Sequence, residues 1–179
     1  RDSYPIHFNE RLLEETYLVP FKAVVQKGGA RSIMTAYNSL DGSPCSANDW
    51  LLNKKLRKDW GFKGFVLSDA GATGGANVLH FTASDYADAG RKSIENGLDV
   101  IFQTAYEHHE LFDKYFLDGS MKPAIIDSAV ARVLRVKFEL GLFENPYVNV
   151  NDQEKWTAAQ HRELAKEAAV RSIVLLKNE

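Results

Sequence analysis

The sequence predicts an α/β fold in which parallel strands are joined by crossover helices, and three observations carry that expectation. Helix-like and strand-like patterns alternate in the order helix, strand, helix, strand, helix, strand, helix, which implies parallel pairing. The strand-like runs RSIMTAY, FVLS and LDVIF are short and apolar, and FVLS shows no solvent-facing alternation, as expected of a strand covered on both faces. Each run ends in a short stretch of different character, AYN, SDAG and FQT, at the strand end where such folds keep their chemistry. A doubly wound sheet and a (β/α) barrel both satisfy this order.

The elements follow from local chemistry. Asn9 can cap NERLLEETYLVPFKAVVQKGG, whose Leu13, Tyr17, Phe21, Val24 and Val25 recur on one helical face; Pro20 predicts a kink, and Gly28 and Gly29 the end. RSIMTAY is closed by the turn-rich NSLDGSP. From Ser46 or Asn48, the helix NDWLLNKKLRKDW is expected to bury Leu52 and Leu56 and to stop at Gly61. After FVLS, Ser84 is expected to cap DYADAGRKSIENG, with Ala87, Gly90 and Ile94 on a narrow face and Gly97 at its end. LDVIF precedes two further helices, YEHHELFDKYFLDG and PAIIDSAVARVLRVKFELG. The second has Pro123 near its first position, Ile126, Val130, Leu134 and Phe138 on one stripe, and Gly141 beyond its end. ENPYVNVNDQEKW reads as a linker, TAAQHRELAKEAAV as a helix, and SIVLL as a strand with nothing after it to pair with. On that pattern the chain is expected to be a segment of a longer one.

Composition narrows the function classes. With 179 residues, 45% of them hydrophobic, and 22 basic against 24 acidic side chains interspersed along the chain, there is material for a core but no basic stripe. Nucleic acid and membrane are therefore not expected partners, and no apolar run approaches a membrane span. The single cysteine, Cys45, excludes an intrachain disulfide, and no Cys/His spacing suggests a metal. GATGGAN matches neither Gly-rich nucleotide fingerprint, so no cofactor is expected. RDSYPIHFNE carries no starting Met and no signal-peptide layout, which leaves periplasmic, secreted and cytoplasmic locations open. Oligomeric state is open as well.

Asp69 is the carboxylate that directly ends an apolar strand, and Ala70, Gly71 and Ala72 after it leave room for a substrate. The competing role is an Asp that caps a turn.

The stretch ARSIMTAYNSLDGSPCSANDWLLNKKLRKDWGFKGFVLSDAGA resembles the glycoside hydrolase family three pattern, in which a strand ending in Tyr-Asn leads to a Ser-Asp nucleophile. NERLLEETYLVPFKAVVQ, ENGLDVI, DSAVARVLRVKFELGLFENPY and AKEAAVRSIVLLKNE extend the resemblance in the family's order over essentially the whole chain. It implies the C-terminal part of a (β/α) TIM-like barrel in residues 1–144. Residues 145–179 would then be a linker, a helix and a first strand leading toward an α/β sandwich domain. It implies a retaining exo-β-glycosidase acting on terminal β-D-glucosyl or β-D-xylosyl residues in the full-length parent, with an oligosaccharide or β-glycoside as substrate and little activity in this segment alone. Asp69 matches the nucleophile and Tyr37 the tyrosine beside it. Met34, Asn38 and His80 are candidates for substrate binding, whereas Asp99 is expected to hold loops together and His108 and His109 to be solvated.

Two departures qualify the resemblance. Many members carry an aromatic residue, often Trp, after the nucleophile, where this chain has Ala70; an aromatic such as Phe81 could take its place. The Lys-His pair and the Arg that bind sugar hydroxyls, and the acid/base residue, are expected outside this chain. A carbohydrate-binding or scaffold domain with a decayed site is the alternative function.

Overall fold

The computed structural model of the chain describes residues 3–152 and 159–178. It is a mixed α/β structure that divides into two compact units, residues 1–140 and 141–179.

In the first unit a short strand, β1 (Pro5–Ile6), precedes α1 (Glu10–Leu12), which Asn9 caps by accepting the Leu12 N–H at 2.9 Å. The chain then widens into π-type turns over Leu13–Tyr17, with Leu18 N–H bonded to the Leu13 carbonyl, before α2 (Val19–Gln26) resumes with Pro20 in its first turn. The expected kink is therefore a change of winding that lets Pro20 enter where its missing N–H costs no bond. Leu13 and Leu18 are buried, while Tyr17, Phe21 and Val24 are about half exposed.

Strand β2 (Ser32–Thr35) pairs in parallel with β5 (Phe65–Ser68), so that Met34 lies opposite Leu67 and Thr35 opposite Ser68. Between them, β3 (Ser39–Leu40) and β4 (Ser43–Pro44) form a small hairpin, and β3 also pairs in parallel with β1. The crossover helix spans Trp50–Asp59 and buries Leu52 and Leu56 as expected. It is wound wider than an α-helix, its last turn closed by the Trp60 N–H on the Lys55 carbonyl at 3.1 Å. Asn48 accepts the Leu51 N–H at 3.0 Å at its start. No residue of β5 is exposed and Val66 is fully buried, consistent with the unalternated FVLS run.

After β5 come α3 (Gly75–Val78), α4 (Tyr86–Glu95), α5 (Lys114–Leu117) and α6 (Pro123–Glu139). Several sequence expectations need correction here. The cap of α4 is Asp85, which accepts the Asp88 N–H, whereas Ser84 donates its N–H and hydroxyl back to Asp88. LDVIF runs beside β5 but forms a single parallel bridge, Leu67 with Val100. The Asp99 carboxylate takes the Val66 N–H and the Ser68 hydroxyl oxygen takes the Phe102 N–H, so side chains occupy positions a backbone ladder would fill. YEHHELFDKYFLDG is not one helix: tight 3₁₀ turns over Tyr106–Leu111 precede the single turn of α5. On α6 the buried side is Ala129 and Val136; of the predicted stripe, Ile126 is partly buried against the core while Val130, Leu134 and Phe138 are exposed.

The core gathers Leu52, Leu56, Trp60, Phe62, Val66, Ile94, Leu98, Met121 and Ala129 around one face of β5. Cys45 is buried in it, and burial pushes its thiol pKa up to about 11. In the second unit, α7 (Ala159–Ser172) takes up Ser172 of the expected strand SIVLL, and residues 173–178 form neither helix nor strand. Among the described residues, no helix is long and apolar enough to cross a membrane and no cluster of His, Cys, Asp and Glu is arranged to hold a metal.

Candidate active site

The carboxyl ends of β2 and β5 lie side by side because the two strands pair in register up to Thr35 and Ser68. The residues that follow, Tyr37 on one and Asp69 and Ala70 on the other, therefore emerge at the same edge. Asp69 is half-buried, and its Oδ1 accepts the Ala70 N–H at 2.6 Å. Its carbonyl accepts the Ala72 N–H at 3.0 Å and starts a turn. The turn-forming role and a half-buried carboxylate at the strand end thus coexist in one residue.

Tyr37 is half-buried and donates its hydroxyl to the carbonyl oxygen of Ala70. The phenol is tied to the main chain next to Asp69, a contact that no sequence pattern signals. His80 comes to the same place from the loop after α3: its Nε2 lies 2.7 Å from the Tyr37 carbonyl oxygen. A carbonyl can only accept, so Nε2 carries the proton. Asp69, Tyr37 and His80 are thereby linked through Ala70 and the backbone of Tyr37.

Met34 and Asn38 turn elsewhere. Both line an apolar cavity of about 240 Å³ together with Leu13, Leu40 and Trp60, and Asp69, Tyr37 and His80 are not part of its wall. The Asn38 amide donates to the Tyr4 carbonyl at 2.9 Å.

The small-residue loop is not the open space its composition suggests. Ala72, Thr73, Gly74, Gly75 and Ala76 are all buried. A Cβ on Gly74 would stand 2.3 Å from Cε1 of Tyr86, so the loop is small because that ring packs on it. Gly71 is the exposed member and has φ +79°, a turn conformation that disfavours side chains. Its N–H reaches the Phe102 carbonyl at 3.2 Å and joins the Asp69 loop to the end of LDVIF.

Beneath the site, the Asp99 side chain is fully buried. One oxygen accepts the Val66 N–H at 2.7 Å and an Arg57 Nη2 at 2.6 Å; the other accepts Arg132 Nε at 2.6 Å. Burial pulls the Arg57 pKa down while Asp99 opposes the shift. Arg57 also donates to the Gly64 and Gly97 carbonyls. Asp99, expected to hold loops together, instead ties strand β5 to two helices. Ala70 leaves its position without an aromatic ring, and Phe81, on the His80 loop, is 84% exposed. His108 and His109 are exposed.

Residues 2–136 match the family described as the glycosyl hydrolase family 3 N terminal domain. The chain is 34% identical over 178 residues to a beta-xylosidase of Formosa agariphila, covering 96% of this chain and 25% of that protein. It is 37% identical over 176 residues to the periplasmic beta-glucosidase of Salmonella typhimurium, covering 95% of this chain and 22% of that protein. Among solved structures, it matches a β-glucosidase from Erythrobacter marinus with a TM-score of 0.84 and 31% identity over 98% of this chain and 23% of that one. A β-glucosidase from Listeria innocua in complex with glucose matches with a TM-score of 0.81 and 34% identity, over 99% of this chain and 24% of that one. The chain spans about a quarter of the length of these relatives.

Proposed function

Since the chain belongs to glycosyl hydrolase family 3 through its N-terminal domain, we propose that it carries the nucleophile of a retaining exo-β-glycosidase that removes terminal β-D-glucosyl or β-D-xylosyl residues. The relatives named above are β-glucosidases and a β-xylosidase, and the strands are read as the C-terminal part of a (β/α) barrel. The observation that carries the reading is a half-buried carboxylate at the end of β5, beside a tyrosine at the end of the neighbouring parallel strand.

In this reading Asp69 Oδ2 attacks the anomeric carbon. The bond to the leaving oxygen breaks, and that oxygen takes a proton from a carboxylic acid about 5–5.5 Å from Asp69. Water then gives its proton to that same group and its oxygen to the anomeric carbon, and Asp69 leaves as carboxylate. Asp69 acts as the carboxylate, and the Ala70 N–H holds its Oδ1 in place. The Tyr37 hydroxyl fixes the carbonyl of Ala70 and so the direction of the Asp69 side chain. His80 holds Tyr37 from behind and contributes to sugar binding through the edge of its ring. The geometry of Met34 and Asn38 favours lining the apolar cavity over touching sugar.

The test is trapping in the full-length parent. A 2-deoxy-2-fluoro-β-glycoside is expected to leave a glycosyl adduct on the peptide containing Asp69. Asp69→Asn is expected to abolish the adduct and lower kcat by roughly 10⁴-fold or more. An adduct on another residue, or none, sinks the assignment, and the second outcome leaves a carbohydrate-binding role. The 179-residue chain alone is expected to show little or no turnover.

A further inference from the structure

We propose that Ser68 is a positioning residue for the nucleophile: its hydroxyl takes the place of its own carbonyl in the strand ladder and so frees the Ala70 N–H to hold the Asp69 carboxylate. The inference rests on the glycosidase reading above.

The ladder between β5 and the run that follows Leu98 starts regularly. The Val100 N–H bonds the Val66 carbonyl at 3.1 Å, and the Ser68 N–H bonds the Val100 carbonyl at 2.9 Å, the even spacing of a parallel pair. Continued, that pattern would send the Phe102 N–H to the Ser68 carbonyl and the Ala70 N–H to the Phe102 carbonyl. Neither rung forms in that way. The Phe102 N–H bonds Ser68 Oγ at 3.0 Å, and the Phe102 carbonyl is met by the Gly71 N–H at 3.2 Å. Both main-chain groups of Phe102 are satisfied, although the chain beside it has gained one residue.

That extra residue decides what the Ala70 N–H does. Released from the ladder, it bonds Asp69 Oδ1 at 2.6 Å. An additional residue opposite one partner bends a strand and re-aims a side chain. Here Asp69 and Ala70 arch out between two fixed points, Ser68 and Gly71, both of them on Phe102. Gly71 suits the closing point: its φ of +79° fits the third position of the turn that the Ala72 N–H closes on the Asp69 carbonyl at 3.0 Å.

A buried hydroxyl at a strand end does not do this by itself. Thr35 lies opposite Ser68 on β2 and is buried as well, yet its Oγ1 has no partner among the described residues. Ser68 is fully buried and its oxygen is engaged by Phe102, so it acts on the reaction only through Asp69. Without that oxygen the Phe102 N–H is left to draw on the carbonyl of residue 68. The regular rung returns, and the Ala70 N–H is pulled from Asp69 toward Phe102.

The experiment follows inactivation of the full-length parent by a 2-deoxy-2-fluoro-β-glycoside, each rate normalised to the sites labelled at the end point so that misfolded chains drop out. In Ser68→Ala the inactivation rate constant is expected to fall roughly 10–100-fold, the cost of a displaced reacting group, with the apparent binding constant of the reagent unchanged. Ser68→Thr, which keeps the acceptor, is expected to stay near wild type. If Ser68→Ala does not fold, Ser68→Cys carries the same test, because sulfur keeps the volume and accepts weakly. An unchanged rate constant in the folded variant overturns the proposal. So does an equal loss in Ser68→Thr, which would place the cause in packing. Wild-type parent that forms no adduct refutes the glycosidase reading, and the positioning role with it.

Discussion

Asp88, at the start of α4, has every direction of its carboxylate occupied. Oδ1 meets Arg91 at 2.6 Å, while Oδ2 meets Lys92 at 2.9 Å and the Ser84 N–H at 3.1 Å. Burial alone would push its pKa up, but the bonds from Lys92, Ser84 and Arg91 outweigh burial and hold it well below the usual carboxylate range. The folded state therefore binds the proton more weakly than the unfolded chain does. Stabilisation from Asp88 is full above the unfolded pKa near 4 and is lost as pH falls through that value toward the folded one. Asp88→Asn is expected to cost about 1–2 kcal/mol at pH 6, and the gap to wild type should begin to narrow as pH falls from 4 to 3. Urea unfolding across that range measures it; a gap that does not change with pH contradicts the assignment. The same carboxylate explains why Ser84 resembled a cap in sequence. Serine stands at the right distance from the helix, but Asp85 takes the free N–H and Ser84 is left to serve Asp88.

At the level of elements, Asp99 joins three of them: β5 through the Val66 N–H, the crossover helix through Arg57, and α6 through Arg132. Asp99→Asn removes the charge opposite two largely buried guanidinium groups and is expected to destabilise the chain by roughly 3–5 kcal/mol. Denaturant unfolding reads this directly, and a loss under about 1 kcal/mol would mean that the pairs count for little. The clamp also shows where sequence patterns stop. FVLS was legible as a buried strand, and Leu52 and Leu56 as a buried face, because apolar periodicity records burial. LDVIF has the same apolar look, yet its ladder is part side chain, and an Asp that replaces a backbone acceptor leaves no periodic trace. On α6 two stripes lie next to each other. The exposed one, Val130, Leu134 and Phe138, is richer in large side chains than the buried one, whose members include the small Ala129. Width of winding was hidden too, since over the ten residues Trp50–Asp59 wide and normal turns bury the same leucines.

For the whole molecule, residues 1–140 form a compact unit of their own. We expect a chain ending at Leu140 to unfold cooperatively in urea with the same midpoint as the 179-residue chain. A gradual, uncooperative transition would count against an independent unit. The candidate site is drawn from both ends of the legibility scale. Asp69 and Tyr37 were readable from strand-end placement and from resemblance, but the bonds that join them run through the carbonyls of Ala70 and Tyr37, and main-chain atoms carry no sequence signal. The clamp at Asp99 carries one more consequence, and it concerns order in time. Val66, three residues before the proposed nucleophile, has its N–H held by a carboxylate that is itself held by Arg132, so contacts 33 residues apart on either side of Asp99 must close together. Such contacts form late and slowly compared with local ones. During synthesis, then, the Asp69 edge cannot acquire its final support until α6 has emerged from the ribosome, and a nascent chain stalled short of residue 132 would hold every residue of the candidate site without the means to set it.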